Sequence, residues 1–359
     1  MTFRGLTWDH PRGRDALRAA APPGLLAWDV QPLEGFESHP IADLCARYDL
    51  VVLDHPHLGE AVEAGCLRPL DDLFAVEELE SWAAQSIGRS WQSYAVAGRQ
   101  WALPLDAATQ VLAARADLVG YVPSTWDEVR SVARSEPTAL SLAGPHAFLT
   151  FASISVALGE EPLVSAETGL AAFDLMVELD ARAPAETRAL NPIGLLELMT
   201  TTDRLALCPL VYGYVNYAGP VTFGDAPAVV PGGRPGSTLG GTGIAVSTRA
   251  EPSPELLDHI RWLMAQDTQR RFVPAHAGQP SSRAAWQDEQ VNADAHGFYQ
   301  RTARTCEQAW VRPRHAGYIA FQTVAAETVR GVLAGDLTPA AGVAQLTDFY
   351  RASILEPTR

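Results

Sequence analysis

The sequence predicts an α/β protein of two domains, each a doubly wound sheet flanked by helices. Three observations carry that expectation. The chain has 359 residues, beyond the length at which one hydrophobic core keeps growing, so two domains are the default. Its first hundred residues alternate continuous apolar runs with helix-like segments, the pattern of a parallel sheet covered on both faces. A second region of mixed strands and helices begins near Ala107 and closes with helices beyond Arg301.

The elements follow in order. "TFRGLTW" reads as a strand, "GRDALRAAA" as a helix and "GLLAWDV" as a strand; "HPIADLCARY" is helical, "DLVVLD" a buried strand and "LGEAVEAGC" a helix. "QWALPLD" (100–106) is a further strand, ending at a proline and an aspartate. Helical periodicity marks 125–135, 148–158, 167–182 and 254–274. "LALCPLVYGYVNY" (205–217) is a strand running into an aromatic loop. "PGGRPGSTLGGTG" (231–243), rich in glycine and proline, leads into the strand-like "GIAVS", and "AGDLTPAAGVAQLTDFY" is the last helix.

Charge removes some functions. Asp and Glu outnumber Lys and Arg 42 to 27, a net charge of −15, and that field repels polyanions, so neither nucleic acid nor an anionic membrane is an expected partner. No apolar run reaches the roughly 18 residues of a spanning helix, so no membrane insertion is expected. The first residues read as a strand and not as a basic, apolar and small-residue export signal. Cytoplasmic location is therefore the expectation, with a periplasmic protein or cell-surface lipoprotein as the alternative if a signal peptide was removed. Cys45, Cys66, Cys208 and Cys306 have neither metal-type nor redox-type spacing and read as reduced core thiols.

Five stretches occur in a familiar order: "YDLVVLDHPHLGEAVEAGCLRPLDDL", "GRQWALPLD", "VPSTWDEVRSVA", the long run from "GSTLGGTGIAVSTRA" to "AGQPSSRAAW", and "GDLTPAAGVAQL". Together they resemble the extracellular solute-binding proteins of ABC importers, in the class that includes sugar-binding members. The resemblance implies a two-lobed, type II periplasmic-binding-protein-like fold with a ligand cleft between the lobes. Lobe one would comprise 1–106 plus 243–298 and lobe two 107–242 plus 299–359, with hinge crossings near 104–110, 238–243 and 296–303. It also implies a monomer that hands a small-molecule ligand to permease subunits.

The tripeptide Asp-His-Pro occurs twice, as Asp9-His10-Pro11 and Asp54-His55-Pro56, each between a strand and a helix. In open α/β sheets ligands bind beyond the carboxyl ends of strands, so both copies are candidates. The prolines suit the turn into a helix and the aspartates can cap one. Capping has no need of imidazole, which leaves His10, His55 and His57 to explain. Three readings stay open for this Asp/His group: hydrogen bonding to ligand hydroxyls, a divalent metal site, and general acid–base chemistry. His-Pro-His matches no recognised metal motif, so no metal and no cofactor is expected.

Other ligand-binding candidates are Trp8, Arg12, Asp106, Tyr212, Tyr214, Asn216, Gly240, Gly241 and Arg283. Flat aromatic faces suit sugar rings. If "YGYVNY" is extended, Tyr212, Tyr214 and Asn216 point one way and Tyr217 the other. Asp106 stands at a predicted strand end. Gly240 and Gly241 offer hinge freedom, and "LGGTG" is no dinucleotide fingerprint because it precedes a strand. Arg12 and Arg283, if both face the ligand, favour an acid. The leading expectation is a solute-binding-protein homologue that closes two lobes around a sugar-like or carboxylated metabolite. The alternative is a cofactor-independent isomerase, dehydratase or lyase using Asp9, His10, Asp54 and His55 as acid–base groups.

Overall fold

The structure is a computed structural model that describes residues 2–161 and 165–355. Nine strands are described: β1 (Phe3–Trp8), β2 (Leu26–Gln31), β3 (Leu50–Leu53), β4 (Ala95–Val96), β5 (Arg99–Gln100), β6 (Leu103–Ala114), β7 (Leu207–Tyr212), β8 (Thr222–Gly224) and β9 (Leu239–Val246). The chain divides into two compact units. The first takes Met1–Ala107, Gly240–Asp294 and Arg312–Ile319; the second takes Ala108–Leu239, Ala295–Val311 and Ala320–Arg359.

In the first unit the strand order is β2-β1-β3-β9. β1 runs parallel to β2 (Phe3 opposite Leu26, Trp8 opposite Gln31) and to β3. β9 is antiparallel to β3, Leu50 facing Val246 and Leu53 facing Gly243. The sheet is thus mixed, where alternation of strands and helices alone predicts a parallel one. The period of two explains the unbroken apolar run of β3: Leu50 and Val52 enter one core with Trp8, Leu17, Trp28 and Ile260. Val51 and Leu53 enter a second core with Leu6, Ile41, Leu44 and Leu58. Helices Pro11–Ala20 and Pro254–Met264 close the first face; Ile41–Arg47 and Leu58–Glu63 close the second.

The strand expected to stop at Asp106 does not stop there. β6 continues to Ala114 with every residue buried. "AATQVLAA" carries no breaker, and the aspartate inside the strand has a partner, described below. The carboxyl half of β6 belongs to the second unit, where Gln110 faces Tyr212 and Ala114 faces Leu207 on β7, and Leu112 faces Gly224 on β8, all antiparallel. Helix His146–Ala157 is buried over its whole length, as suits a helix with no charged face, and its few polar side chains bond internally. Its Ser153 donates to Gln110 Oε1 at 2.6 Å, and Ser237 donates to the Gln110 carbonyl at 2.6 Å, so the buried glutamine is satisfied.

The units depart from the predicted lobes by a few residues at the crossings, where 295–298 fall in the second unit, and in one longer segment. Residues 312–319 belong to the first unit, whereas the resemblance puts all of 299–359 in the second lobe. Three local interactions hold them there: Arg312 with Asp54, Arg314 Nη1 donating to the Gln92 carbonyl at 2.7 Å, and backbone packed on Gly59. A Cβ at residue 59 would stand 2.3 Å from the His315 carbonyl carbon. Gly59→Ala is therefore expected to destabilise the protein by about 1–3 kcal/mol, read as a lower midpoint at unchanged m-value in urea unfolding.

Candidate functional site

β1 and β3 are neighbouring parallel strands, so the two Asp-His-Pro copies follow strand ends on one rim of the first unit. They do not perform the same local task. In the first copy the capping group is the imidazole: His10 is the N-cap of Pro11–Ala20, its backbone extended (φ −144°, ψ 147°), and its Nδ1 accepts from the Arg12 N–H at 3.1 Å. In the second copy Asp54 is the cap and accepts from the His55 N–H at 2.9 Å. The expectation that aspartate caps and histidine is left over therefore holds for the second copy and fails for the first. The helix starts one residue later relative to the tripeptide in the first copy, which moves the free acceptor from carboxylate to ring nitrogen.

An accepting Nδ1 requires a neutral ring. Burial lowers the His10 pKa to about 4, with the Arg12 and Arg14 charges acting in the same direction. His55 is also lowered to about 4, first by burial and then by Arg312, against an opposing pull from Asp54. Its Nδ1 is 3.1 Å from Asp54 Oδ1, yet neither ring nitrogen meets hydrogen-bond geometry with a described residue. With the ring neutral, this proximity is a dipole contact and not an ion pair. The ring is 0% exposed and meets Tyr94 edge-on at 6.2 Å, while the Tyr94 hydroxyl donates to the Leu53 carbonyl at 3.3 Å. His57 is buried too, and burial lowers its pKa.

Two arginine–aspartate pairs fasten these loops. Arg12 Nε donates to Asp106 Oδ2 at 2.7 Å and Nη2 donates to Oδ1, a two-pronged pair whose members are 6% and 5% exposed. Burial pushes the Asp106 carboxyl above the usual carboxylate range, and Arg12 offsets only part of that rise. The guanidinium stays charged at any ordinary pH, and a neutral acid would leave it uncompensated in the interior, so the pair is ionised. Burial alone would raise Asp54 as well, but Arg312 and His55 together hold it well below the usual carboxylate range. Arg312 was not among the residues singled out from the sequence. Its partner lies 258 positions away, and only the "VRPRH" clustering of charge hinted at it.

The remaining candidates scatter. Trp8 is core: it packs against Phe36 at 5.3 Å and over Gly13. Asp9 is on the surface beside Arg14. Arg283 opens helix Arg283–Gln287 and donates to the Ala84 carbonyl at 3.3 Å. Gly240 and Gly241 lie inside β9, where Gly241 has φ 92°. In the second unit, β7 ends at Tyr212 and Val215–Tyr217 forms a single 3₁₀ turn, closed by the Tyr217 N–H on the Tyr214 carbonyl at 3.1 Å. Side chains three apart eclipse in such a turn, so Tyr214 and Tyr217 come together, rings 6.4 Å apart, where an extended chain would have opposed them. Tyr212 meets His146 edge-on at 5.7 Å, and Asn216 is exposed. Among the described residues no group of three or more His, Cys, Asp or Glu is placed to hold a metal ion. No described helix is long and apolar enough to cross a membrane.

Residues 45–270 match the family model described as bacterial extracellular solute-binding protein. The chain belongs to that family. The matched span carries the second tripeptide, Asp106, the tyrosine loop and both glycines, and leaves Trp8 to Arg12 and Arg283 outside it. The fold agrees over the whole chain with solved members. Maltose-bound MalE3 from T. maritima is 18% identical, covers 98% of this chain and 99% of its own, and superposes with a TM-score of 0.81. An ABC transporter solute-binding protein from Agrobacterium radiobacter K84 in complex with ribitol is 22% identical, with 99% of each chain covered and a TM-score of 0.80. The GacH receptor of Streptomyces glaucescens, solved unliganded and with acarbose, is 16% identical, with 99% of each covered and a TM-score of 0.78. No curated relative matches at the sequence level. The fold is thus the two-lobed solute-binding fold.

The buried pairs and rings make two measurable demands. Asp106→Asn leaves the Arg12 charge unpaired in the interior and is expected to cost about 3–5 kcal/mol in urea unfolding; the double replacement Arg12→Met with Asp106→Leu is expected to recover most of it. For the rings, the folded values near 4 lie below the ordinary 6.5. The unfolded chain therefore binds protons first as pH falls. Stability is lost progressively from pH 6.5 to about 4 and levels off below, on the order of 3 kcal/mol per ring. His55→Leu should flatten that slope in unfolding measured across the window.

Proposed function

We propose that the chain captures a neutral, polyhydroxylated solute, a sugar or sugar alcohol, for uptake through an ABC permease. The observation that carries the reading is family membership together with the ligands bound in whole-chain structural neighbours, which are maltose, ribitol and acarbose. The first unit adds a chemical argument. Arg12 and Arg312 are each committed to a buried aspartate, and Arg283 to a backbone carbonyl, so the cations that would have favoured an acidic ligand are occupied. The half-buried Tyr212 and Tyr217, the latter backed by the buried Tyr214, with exposed Asn216, supply ring faces and an amide of the kind that orients sugars.

The acid–base alternative loses ground for a physical reason. A general acid or base must come within hydrogen-bond reach of its substrate, and His55 has no exposed surface. His10 Nδ1 already accepts from a helix terminus. The transport reading sets the chain to work outside the cytoplasmic membrane, contrary to the expectation drawn from its first residues, and fractionation of the native cell decides between the two.

Titration calorimetry with maltose, maltotriose, ribitol and mannitol, against small dicarboxylates as controls, is the direct test. One-site binding to a member of the first set, with Tyr212→Ala weakening it roughly tenfold or about 1.4 kcal/mol, is the expected outcome. Binding to a dicarboxylate alone would sink the reading.

A further inference from the structure

Helix Pro254–Met264 carries a core stripe and a polar–aromatic stripe. Leu256, Ile260, Leu263 and Met264 enter the core of the first unit. Glu255, Asp258, His259 and Trp262, at the i, i+3, i+4 and i+7 spacing of a single face, line a groove with a volume of about 610 Å³. Ser253 caps the helix by accepting from the Leu256 N–H at 3.4 Å, and Pro254 fills its first position. The other wall includes Pro22 and Leu25. They are held by a turn in which the Leu25 N–H donates to the Pro22 carbonyl at 3.1 Å and Gly24 takes φ 78°. Proline at the second turn position and glycine at the third are what a type II turn favours.

Trp262 is the exposed aromatic of this groove, 41% accessible. Its ring is held by two neighbours, His259 nearly parallel to it at 6.0 Å and Phe272 edge-on at 5.0 Å. His259 is the most buried of the lining side chains, 6% exposed, and its Nε2 has no hydrogen-bond partner among the described residues. Buried polar atoms in folded proteins nearly always have a partner, so this one is open to a ligand. Burial lowers the His259 pKa, which keeps the ring neutral at pH 7 and lets Nε2 present a lone pair. The fixed charges of the lining are both negative. Glu255 is exposed, and Asp258 holds Arg261 Nη1 at 2.8 Å while sharing that arginine with Glu78. No arginine is among the lining residues described.

We propose that this groove is a further binding site, for a small organic cation that carries N–H donors on an apolar body, an alkylguanidinium or alkylammonium. Each part of the lining matches one part of such a molecule. The indole of Trp262 attracts the cation through its ring quadrupole, and Glu255 and Asp258 supply the opposite charge at the rim. The His259 Nε2 lone pair accepts one N–H, and Pro22 and Leu25 cover the aliphatic chain. The volume lies in the range of small-molecule sites, which favours a free cation over a side chain on a protein surface. A neutral polyol gains nothing from the two charges, and an acid is repelled by them. The groove shares no residue with the strand-end loops or the tyrosine loop, so the inference is independent of the transported solute.

The probe is n-butylguanidinium, titrated into the ¹⁵N-labelled full chain and followed by the indole N–H signals of its nine tryptophans. Trp262→Leu, a change at the surface, identifies the Trp262 signal by its loss. That signal should shift saturably with a Kd on the order of 1 mM. At the same concentrations n-butanol, with the same apolar body and no charge, should leave it in place. Butyltrimethylammonium keeps the charge and lacks N–H, and it should bind roughly fivefold more weakly for want of one hydrogen bond. His259→Phe should remove that difference. Glu255→Gln together with Asp258→Asn should weaken butylguanidinium roughly fivefold, as expected for two exposed carboxylates. A Trp262 signal unmoved by butylguanidinium, an equal response to butanol, or a response only to an arginine-bearing peptide would each overturn the site. The comparison of probes on the wild-type chain gives that answer even if His259→Phe folds poorly.

Discussion

The buried Arg12–Asp106 pair is the constraint on which the first unit's rim depends. An aspartate in the middle of an entirely buried strand is unfavourable unless its charge is met, and Arg12 meets it with two parallel hydrogen bonds. Because Arg12 sits in the first turn of helix Pro11–Ala20, the same pair sets where that helix begins. The helix start in turn decides that His10, and not Asp9, faces the open N–H groups. Neighbouring backbone follows: the Ala107 carbonyl accepts from Gln279 at 2.7 Å, and Ser281 bonds the Pro104 carbonyl. Such a pair adds little net stability over a well-packed apolar replacement. What it does is make one arrangement of these segments far better than the others.

Asp54 and Arg312 repeat that logic for the second tripeptide with different consequences. Here the cap is the carboxylate itself, so one aspartate both ends a strand and binds a distant cation. All 27 basic side chains other than histidine are arginines. That choice suits interior pairing, since a planar guanidinium can be desolvated at lower cost than an ammonium and engages a carboxylate at two points. The histidines between these pairs are held neutral by burial and by the arginine charges, which turns them from candidate acid–base groups into part of the scaffold.

Much of the fold was legible because it rests on periodicity. The apolar run of β3, the two helix-forming stretches beside it and the predominantly apolar, fully buried helix His146–Ala157 each declare themselves within a dozen residues. What failed failed at junctions. The predicted strand end at Asp106 is one such place, because a lone carboxylate reads as a boundary until its partner, 94 positions away, is known. The tyrosine loop is another: one i to i+3 hydrogen bond brings Tyr217 to Tyr214, where an extended chain would oppose them.

The sequence by itself determined the class of fold, the two strand-end loops and the aromatic segment, since alternation, turn residues and composition act locally. Only the tertiary structure decided what the polar side chains do there. Whether Asp54, Asp106, His10 or His55 meets a solute, a helix terminus or an arginine is a question of which distant group reaches it first. Burial makes that choice binding, because a desolvated charge or ring nitrogen cannot return to water and must keep the partner that folding brings to it.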